Sequence, residues 1–119
     1  MSVIDQYSIA FRYFDPKRRA LAAIAREGAV LTQSIEDEDW KVSARKKADL
    51  PLEEWLEIKR KAFLSIPAWA SEIQELPSLD EVKNWIIDSV CETPTGNYVE
   101  PDGHGPDGAP SWLLALGLI

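Results

Sequence analysis

Residues 93–119 contain the side chains of this chain that are best suited to bind a ligand. Three carboxylates, Glu100, Asp102 and Asp107, lie among glycines in a stretch that has no Lys or Arg. Carboxylate oxygens on a flexible backbone suit Ca²⁺, but the Asp-x-Asp start and the Glu at the twelfth position of an EF-hand loop are missing. Two consecutive Pro-Asp-Gly turns account for the same residues. We therefore predict turns here and no metal.

The single His104 and the single Cys91 could support a second kind of chemistry. A zinc site takes four ligands, so Asp102 and Asp107 would have to complete the set. A Cys/His catalytic dyad is also conceivable. The chain has no nucleophile elbow, no phosphate-binding Gly-rich loop before a helix and no metalloprotease motif. We predict no catalytic residues and no cofactor, and we keep a metal-dependent enzyme that uses residues 100–107 as the last alternative.

Three basic triplets, at residues 17–19, 45–47 and 59–61, are the features that favour nucleic-acid binding. The helices predicted after Pro67 and after Ser78 also have the lengths of a helix-turn-helix. The second helix would then be the recognition helix, but it carries three acids and one base. Phosphates lining a major groove would repel such a helix, so we predict no direct contact with nucleic acid.

The chain ends in an apolar segment, which needs a surface to cover it because chain ends are normally polar. Pro110 can start a short helix there, and this helix either completes the protein's own core or inserts into a groove of a partner. The residues that we predict to bind a partner are five apolar and three acidic ones: Trp112, Leu113, Leu116, Leu118, Ile119, Glu100, Asp102 and Asp107.

The elements that must position these residues are predicted to be helices. Apolar residues in 3–14 recur at helical spacing, although Ile9, Phe11 and Tyr13 also alternate as they would in a strand. Residues 15–28 resemble a second helix, with an acid and a Pro at its start and a Gly at its end.

The signals in residues 29–48 are weaker and suggest a buried connection followed by a helix capped by Ser34. Three further helices have clear local signals: one after Pro51, a shorter one after Pro67, and one with a capping box formed by Ser78 and Glu81. The buried face predicted for the last of these helices consists of Leu79, Val82, Trp85, Ile86 and Val90.

These signals together predict an all-α protein, a compact bundle of five to six short helices with a Gly/Pro/Asp loop and a short apolar C-terminal helix. A chain of 119 residues allows one domain, with a helical part at 1–92 and the loop and docking tail at 93–119. A single Cys excludes an internal disulfide. The N-terminus lacks a signal-peptide layout, and no apolar stretch approaches the roughly 20 residues of a membrane span. We expect a cytoplasmic protein that does not associate with membranes.

The distribution of charge indicates what kind of partner to expect. Residues 1–71 hold 12 basic and 11 acidic side chains, whereas residues 72–119 hold one base, Lys83, and 9 acids. Such an acidic end attracts basic surfaces.

We therefore predict a non-enzymatic protein that binds a basic, nucleic-acid-handling protein, as an inhibitor or adaptor whose acids lie where phosphates would lie. Small acidic accessory proteins of phages and mobile elements, including anti-CRISPR and anti-restriction proteins, act in this way, and the analogy is one of charge and size. The alternative is a structural helical module that binds copies of itself.

Overall fold

The computed structural model describes residues 2–119 and contains two antiparallel sheets and four α-helices. Its strands are β1 (Ile9–Asp15), β2 (Ala20–Ala25), β3 (Ala29–Gln33), β4 (Lys41–Arg45), β5 (Cys91–Glu92) and β6 (Tyr98–Val99). Its helices are α1 (Leu52–Leu64), α2 (Ala68–Ser71), α3 (Leu79–Asp88) and α4 (Trp112–Ala115), and a 3-10 helix, Val3–Gln6, precedes β1. The first four strands pair in chain order, and β5 pairs with β6. The prediction of an all-α protein is therefore wrong, and the chain mixes helices with a four-stranded sheet.

The first strand replaces a predicted helix over residues 3–14. The structure has the short 3-10 helix at its start, and the alternating residues Ile9, Phe11 and Tyr13 lie in β1, as the competing strand interpretation expected. Neighbouring side chains of β1 point to opposite faces of the sheet. Tyr13 accordingly packs in one hydrophobic cluster and Phe14 in the other.

Strand β2 is the centre of the fold and replaces the helix predicted for residues 15–28. All six of its residues are buried. Leu21 and Ala23 pack on one side of the sheet, and Ala22 and Ile24 pack on the other. A helix would bury one stripe of this sequence, whereas a covered strand buries every residue. The Asp15 carboxylate, predicted to cap a helix, instead accepts hydrogen bonds inside the β1–β2 turn.

The helix predicted after Ser34 is also absent from the described residues, where β4 forms the edge of the sheet. The acids before β4 close the β3–β4 loop. Asp37 accepts a hydrogen bond from the Ser34 backbone N–H at 2.9 Å, which lowers the pKa of that carboxyl. Asp39 accepts from the Ser2 hydroxyl and from the Val3 N–H, and both bonds lower its pKa. These acids therefore stabilise a loop rather than the first turn of a helix.

The three helices predicted from clear local signals are confirmed as α1, α2 and α3. The predicted capping box of α3 is present. Ser78 Oγ accepts a hydrogen bond from the Glu81 N–H at 3.1 Å, and the Ser78 N–H donates to Glu81 Oε1 at 3.2 Å. Local signals were sufficient here because both partners of the cap lie within one helical turn.

The sheet separates two hydrophobic layers of unequal size. On one face, α1 packs alone, with Trp55 buried and Phe63 stacked on Phe11 at a ring-centroid distance of 5.3 Å. The opposite face carries the larger layer, to which the 3-10 helix, α2, α3, β5 and α4 contribute. The C-terminal residues therefore belong to the main core of the molecule.

Candidate functional site

The Gly/Pro/Asp loop is held by two backbone turns. The Gly103 N–H donates to the Glu100 carbonyl at 2.8 Å, and the Gly108 N–H donates to the Gly105 carbonyl at 3.0 Å. These bonds confirm the predicted pair of Pro-Asp-Gly turns. Gly108 has φ +85°, a backbone conformation that favours glycine.

The three carboxylates of this loop do not form a common site. Asp107 accepts a hydrogen bond from the Thr95 hydroxyl at 2.6 Å and another from the Ala109 N–H at 3.1 Å. Both hydrogen bonds lower the pKa of Asp107, and the bond from Thr95 has the larger effect. Glu100 and Asp102 are exposed to solvent. Asp107 therefore stabilises the loop, and the other two acids remain available at the surface.

The residues considered for zinc or for a catalytic dyad differ sharply in their surroundings. Cys91 is fully buried, and its thiol donates to the Glu92 carbonyl at 3.3 Å. His104 is exposed, and its backbone pairs with that of Pro110. Across residues 2–119, no three His, Cys, Asp or Glu side chains are grouped so that they could hold a metal ion.

The apolar C-terminal segment lies mostly inside the protein's own core. Trp112, Leu113 and Leu116 are 7%, 1% and 6% exposed. The ring of Phe14 meets the ring of Trp112 edge-on, with 5.5 Å between centroids. The Ser111 hydroxyl caps α4 by accepting a hydrogen bond from the Leu114 N–H at 3.1 Å. The rest of the chain therefore covers these three predicted anchors. They help to complete the protein's own core, the role considered as the alternative to insertion into a partner.

The last residues leave the core through a helix-ending turn. The Gly117 N–H donates to the Leu114 carbonyl at 3.0 Å, and the Leu118 N–H donates to the Leu113 carbonyl at 2.9 Å. This pair of bonds is a Schellman motif, and Gly117 provides its left-handed residue at φ +71°. Leu118 and Ile119 are 42% and 58% exposed. Of the apolar residues predicted to bind a partner, only these two lie at the surface.

A different apolar surface lies on and just after α3, which sequence reasoning assigned to the core. Of the predicted buried face, Val82 and Trp85 are buried, but the other three members are not, so that part of the prediction is wrong. We define the α3 stripe as four exposed apolar residues: Leu79 (53% exposed), Ile86 (55%), Ile87 (77%) and Val90 (47%).

The sequence did contain a signal for this surface. At about 100° per residue, the apolar positions of α3 between Leu79 and Ile87 cover about 200° of its circumference. A helix that packs on a core from one side buries a stripe about half that wide. Some of these apolar side chains therefore had to remain in water.

Unfavourable local features surround the α3 stripe. Asp88 lies in the last turn of α3, which has no basic residue, although a helix dipole favours cations at that end. Ser89 then adopts the left-handed conformation at φ 56°, where glycine is the usual residue. This end of α3 is therefore not optimised for the stability of the isolated chain.

The other flank of α3 borders a small acidic cleft of about 250 Å³. Its walls include two tryptophans and three glutamates, namely Trp85, Trp112, Glu75, Glu81 and Glu92. Indole rings attract cations through their π faces, and carboxylates bind ammonium and guanidinium groups. The cleft therefore suits a Lys or Arg side chain of a partner better than an anion.

The chain matches no protein-family model, no curated protein and no solved structure. In the part of the chain that the structure describes, no helix has the length and apolar character needed to cross a membrane. Function must therefore be inferred from the surface of this molecule.

Proposed function

We propose that this protein acts by binding another protein through the α3 stripe, without catalysing a reaction. The observation that carries the proposal is the exposure of four large apolar side chains, 47% to 77% each, on one short helix and its C-terminal extension. Apolar side chains clustered in this way are typical of interaction surfaces. Each one would stabilise a complex by roughly 1–2 kcal/mol on leaving water.

The net charge of α3 and of the residues that surround it in sequence supports a basic partner; within the helix, Lys83 lies between the apolar residues of the α3 stripe, and the acids lie beside and behind it. Helix α3 carries Asp80, Glu81 and Asp88 against Lys83 alone, and residues 72–119 hold 9 acids and one base. Opposite charge on a partner would speed the encounter and fix its orientation. The cleft on the other flank of α3 would receive a basic side chain of the same partner.

More specifically, the proposed partner is a protein that binds nucleic acid. A surface that binds phosphates presents Lys and Arg, and the acidic face of α3 would occupy it in place of the nucleic acid. The protein would then be an inhibitor or adaptor of that partner. Among the residues first predicted to bind, Leu118, Ile119, Glu100 and Asp102 remain surface candidates, whereas Trp112, Leu113, Leu116 and Asp107 support the scaffold.

A capture experiment with matched variants tests this proposal. Ile87→Lys removes the most exposed side chain of the α3 stripe and adds a positive charge, while Leu64→Lys makes the same change at the end of α1, where Leu64 is 67% exposed. We expect wild type and Leu64→Lys to retain the same basic protein from a lysate of the source cells, and Ile87→Lys to lose it. Because both sites are exposed, neither variant should unfold.

The purified partner then allows a quantitative test. We expect its affinity for wild type to fall by at least tenfold between about 50 mM and about 200 mM salt, since opposite charges lie at the contact. We also expect the protein to displace nucleic acid from the partner. Equal retention of the partner by Ile87→Lys, or an affinity that does not change with salt, would refute the proposal.

A further inference from the structure

A second apolar surface lies between β4 and α1. It is on the face of the four-stranded sheet opposite the larger hydrophobic layer. It is an open cavity of about 480 Å³, which we call the β4–α1 groove. Five apolar residues contribute to its lining: Val30, Ala44, Leu50, Trp55 and Ile58. Ile58 is 54% exposed, and Ala44 is exposed as well.

The groove exists because a single helix covers one face of a four-stranded sheet. Strands lie about 4.8 Å apart, so four of them span roughly 15–19 Å, whereas a helix with its side chains is about 10 Å wide. Helix α1 covers Tyr13, Ala22 and Ile24 of β1 and β2. Ala44 on β4 lies opposite Val30 and therefore points to the same face of the sheet. A strip of roughly 5–9 Å therefore remains at the edge of that face, wide enough for the apolar side chains of a docking helix.

The rim of the groove is basic. Arg45, Lys47 and Lys59 line it against one acid, Asp49. Two residues of the basic triplet 45–47 and one residue of the triplet 59–61 thus line one surface, while the third triplet lies in the β1–β2 turn. The groove also has an apolar floor, which matches an apolar helix better than a phosphate backbone.

The α3 stripe has the properties that this groove requires. It belongs to a helix with an exposed apolar side, and that helix carries three acids and one base. We propose that the β4–α1 groove of one copy of this chain receives the α3 stripe of a second copy. This proposal rests on the assignment of the α3 stripe as a docking surface, and it names a second copy as a ligand that competes with the basic partner for that stripe.

The geometry of this contact determines how the assembly grows. Groove and stripe are different surfaces, so the contact is heterologous, and a pair of copies keeps one free groove on one copy and one free stripe on the other. Assembly then continues into open chains or rings rather than stopping at two copies. One helix of 10 residues buries less than the roughly 1,200 Å² of a stable complex. We therefore expect weak association that depends on protein concentration.

Sedimentation equilibrium of purified protein tests the proposal, with one variant for each surface. Ile87→Lys disrupts the stripe, and Ile58→Glu places a carboxylate among the apolar side chains that the contact would bury, where it loses its hydration. We expect the mass of wild type to rise above 13.4 kDa between about 10 µM and about 1 mM, and each variant alone to remain at 13.4 kDa. Leu64→Lys and Leu64→Glu are the matched controls and should associate as wild type does.

Mixing the two variants gives the most specific result. Ile87→Lys keeps an intact groove and Ile58→Glu keeps an intact stripe, so an equimolar mixture has one working contact. We expect this mixture to form at least dimers, although neither variant associates alone. Formation of the dimer would also show that both variants are folded.

Three results would overturn the inference: wild type that stays at 13.4 kDa throughout, Ile58→Glu that still associates alone, or a mixture that stays monomeric although wild type associates. If wild type never associates while Ile87→Lys loses the basic partner, the groove inference fails and the proposed function stands. If Ile87→Lys retains the basic partner, the proposed function fails whatever the masses are.

Discussion

Replacing Leu113 by Ala tests whether the C-terminal helix is part of the core. Leu113 is 1% exposed and packs in the larger hydrophobic layer. Leu→Ala changes at such sites destabilise proteins by about 2–5 kcal/mol, because transfer free energy is lost and a cavity remains. We take about 3 kcal/mol for this site. That is a large part of the 5–15 kcal/mol of unfolding free energy that is usual for a domain.

Urea unfolding followed by tryptophan fluorescence measures this loss directly. With an m-value of about 1.5 kcal/mol/M, a destabilisation of about 3 kcal/mol lowers the midpoint by about 2 M. Far-UV circular dichroism should give the same midpoint if unfolding is two-state. The matched control is Leu118→Ala, since Leu118 is 42% exposed and its truncation should cost less than about 1 kcal/mol.

The outcome separates the two roles considered for the C-terminal segment. A midpoint for Leu113→Ala that is no lower than that of Leu118→Ala would mean that α4 contributes nothing to the core. The expected large difference between the two urea midpoints would show that α4 belongs to the core. A partner would then bind to surfaces outside α4.

Two further predictions concern the loop and the end of the chain. The pKa of Asp107 is lowered in the folded state, so its charge stabilises the fold above the unfolded pKa of about 3.9, and this contribution is lost as the pH falls through the folded value. The difference in urea midpoint between wild type and Asp107→Asn should therefore be larger at about pH 6 than at about pH 3; a difference independent of pH would contradict this. Gly96 and Gly117 have φ +92° and +71°, so each change to Ala should cost about 1 kcal/mol. Gly117→Ala should cost more, because its Cβ would lie 2.7 Å from Cδ of Arg19 while nothing lies within 4 Å at Gly96; equal urea midpoints for the two variants would show that Arg19 moves away freely.

The parts of the fold that could be predicted from the sequence depend on local contacts. The capping box of α3 and the two Pro-Asp-Gly turns involve residues at most three positions apart, so their residue types were sufficient. Leu21 and Ile24 are buried, and the helix predicted to contain them is a strand instead. Ala has the highest helix propensity, and tertiary packing overrides that preference in Ala20–Ala25, which is covered on both faces.

The length of that apolar run did carry information. Six residues bounded by turns match a strand better than a helix, and the acid at Asp15 suits a tight turn as well as a helix cap.

The candidate site was harder to predict. Whether Ile86 and Ile87 face water depends on which flank of α3 packs on the larger hydrophobic layer, and no local signal determines that choice. The β4–α1 groove likewise arises from the position of α1 across the strands.

The measurement that tests the central claim most directly is the affinity of the purified basic partner for wild type, Ile87→Lys and Leu64→Lys at one fixed salt concentration. We predict that wild type and Leu64→Lys bind equally and that Ile87→Lys binds at least about tenfold more weakly, which corresponds to about 1.4 kcal/mol. An affinity of Ile87→Lys within about twofold of wild type would contradict the claim that the α3 stripe is the docking surface.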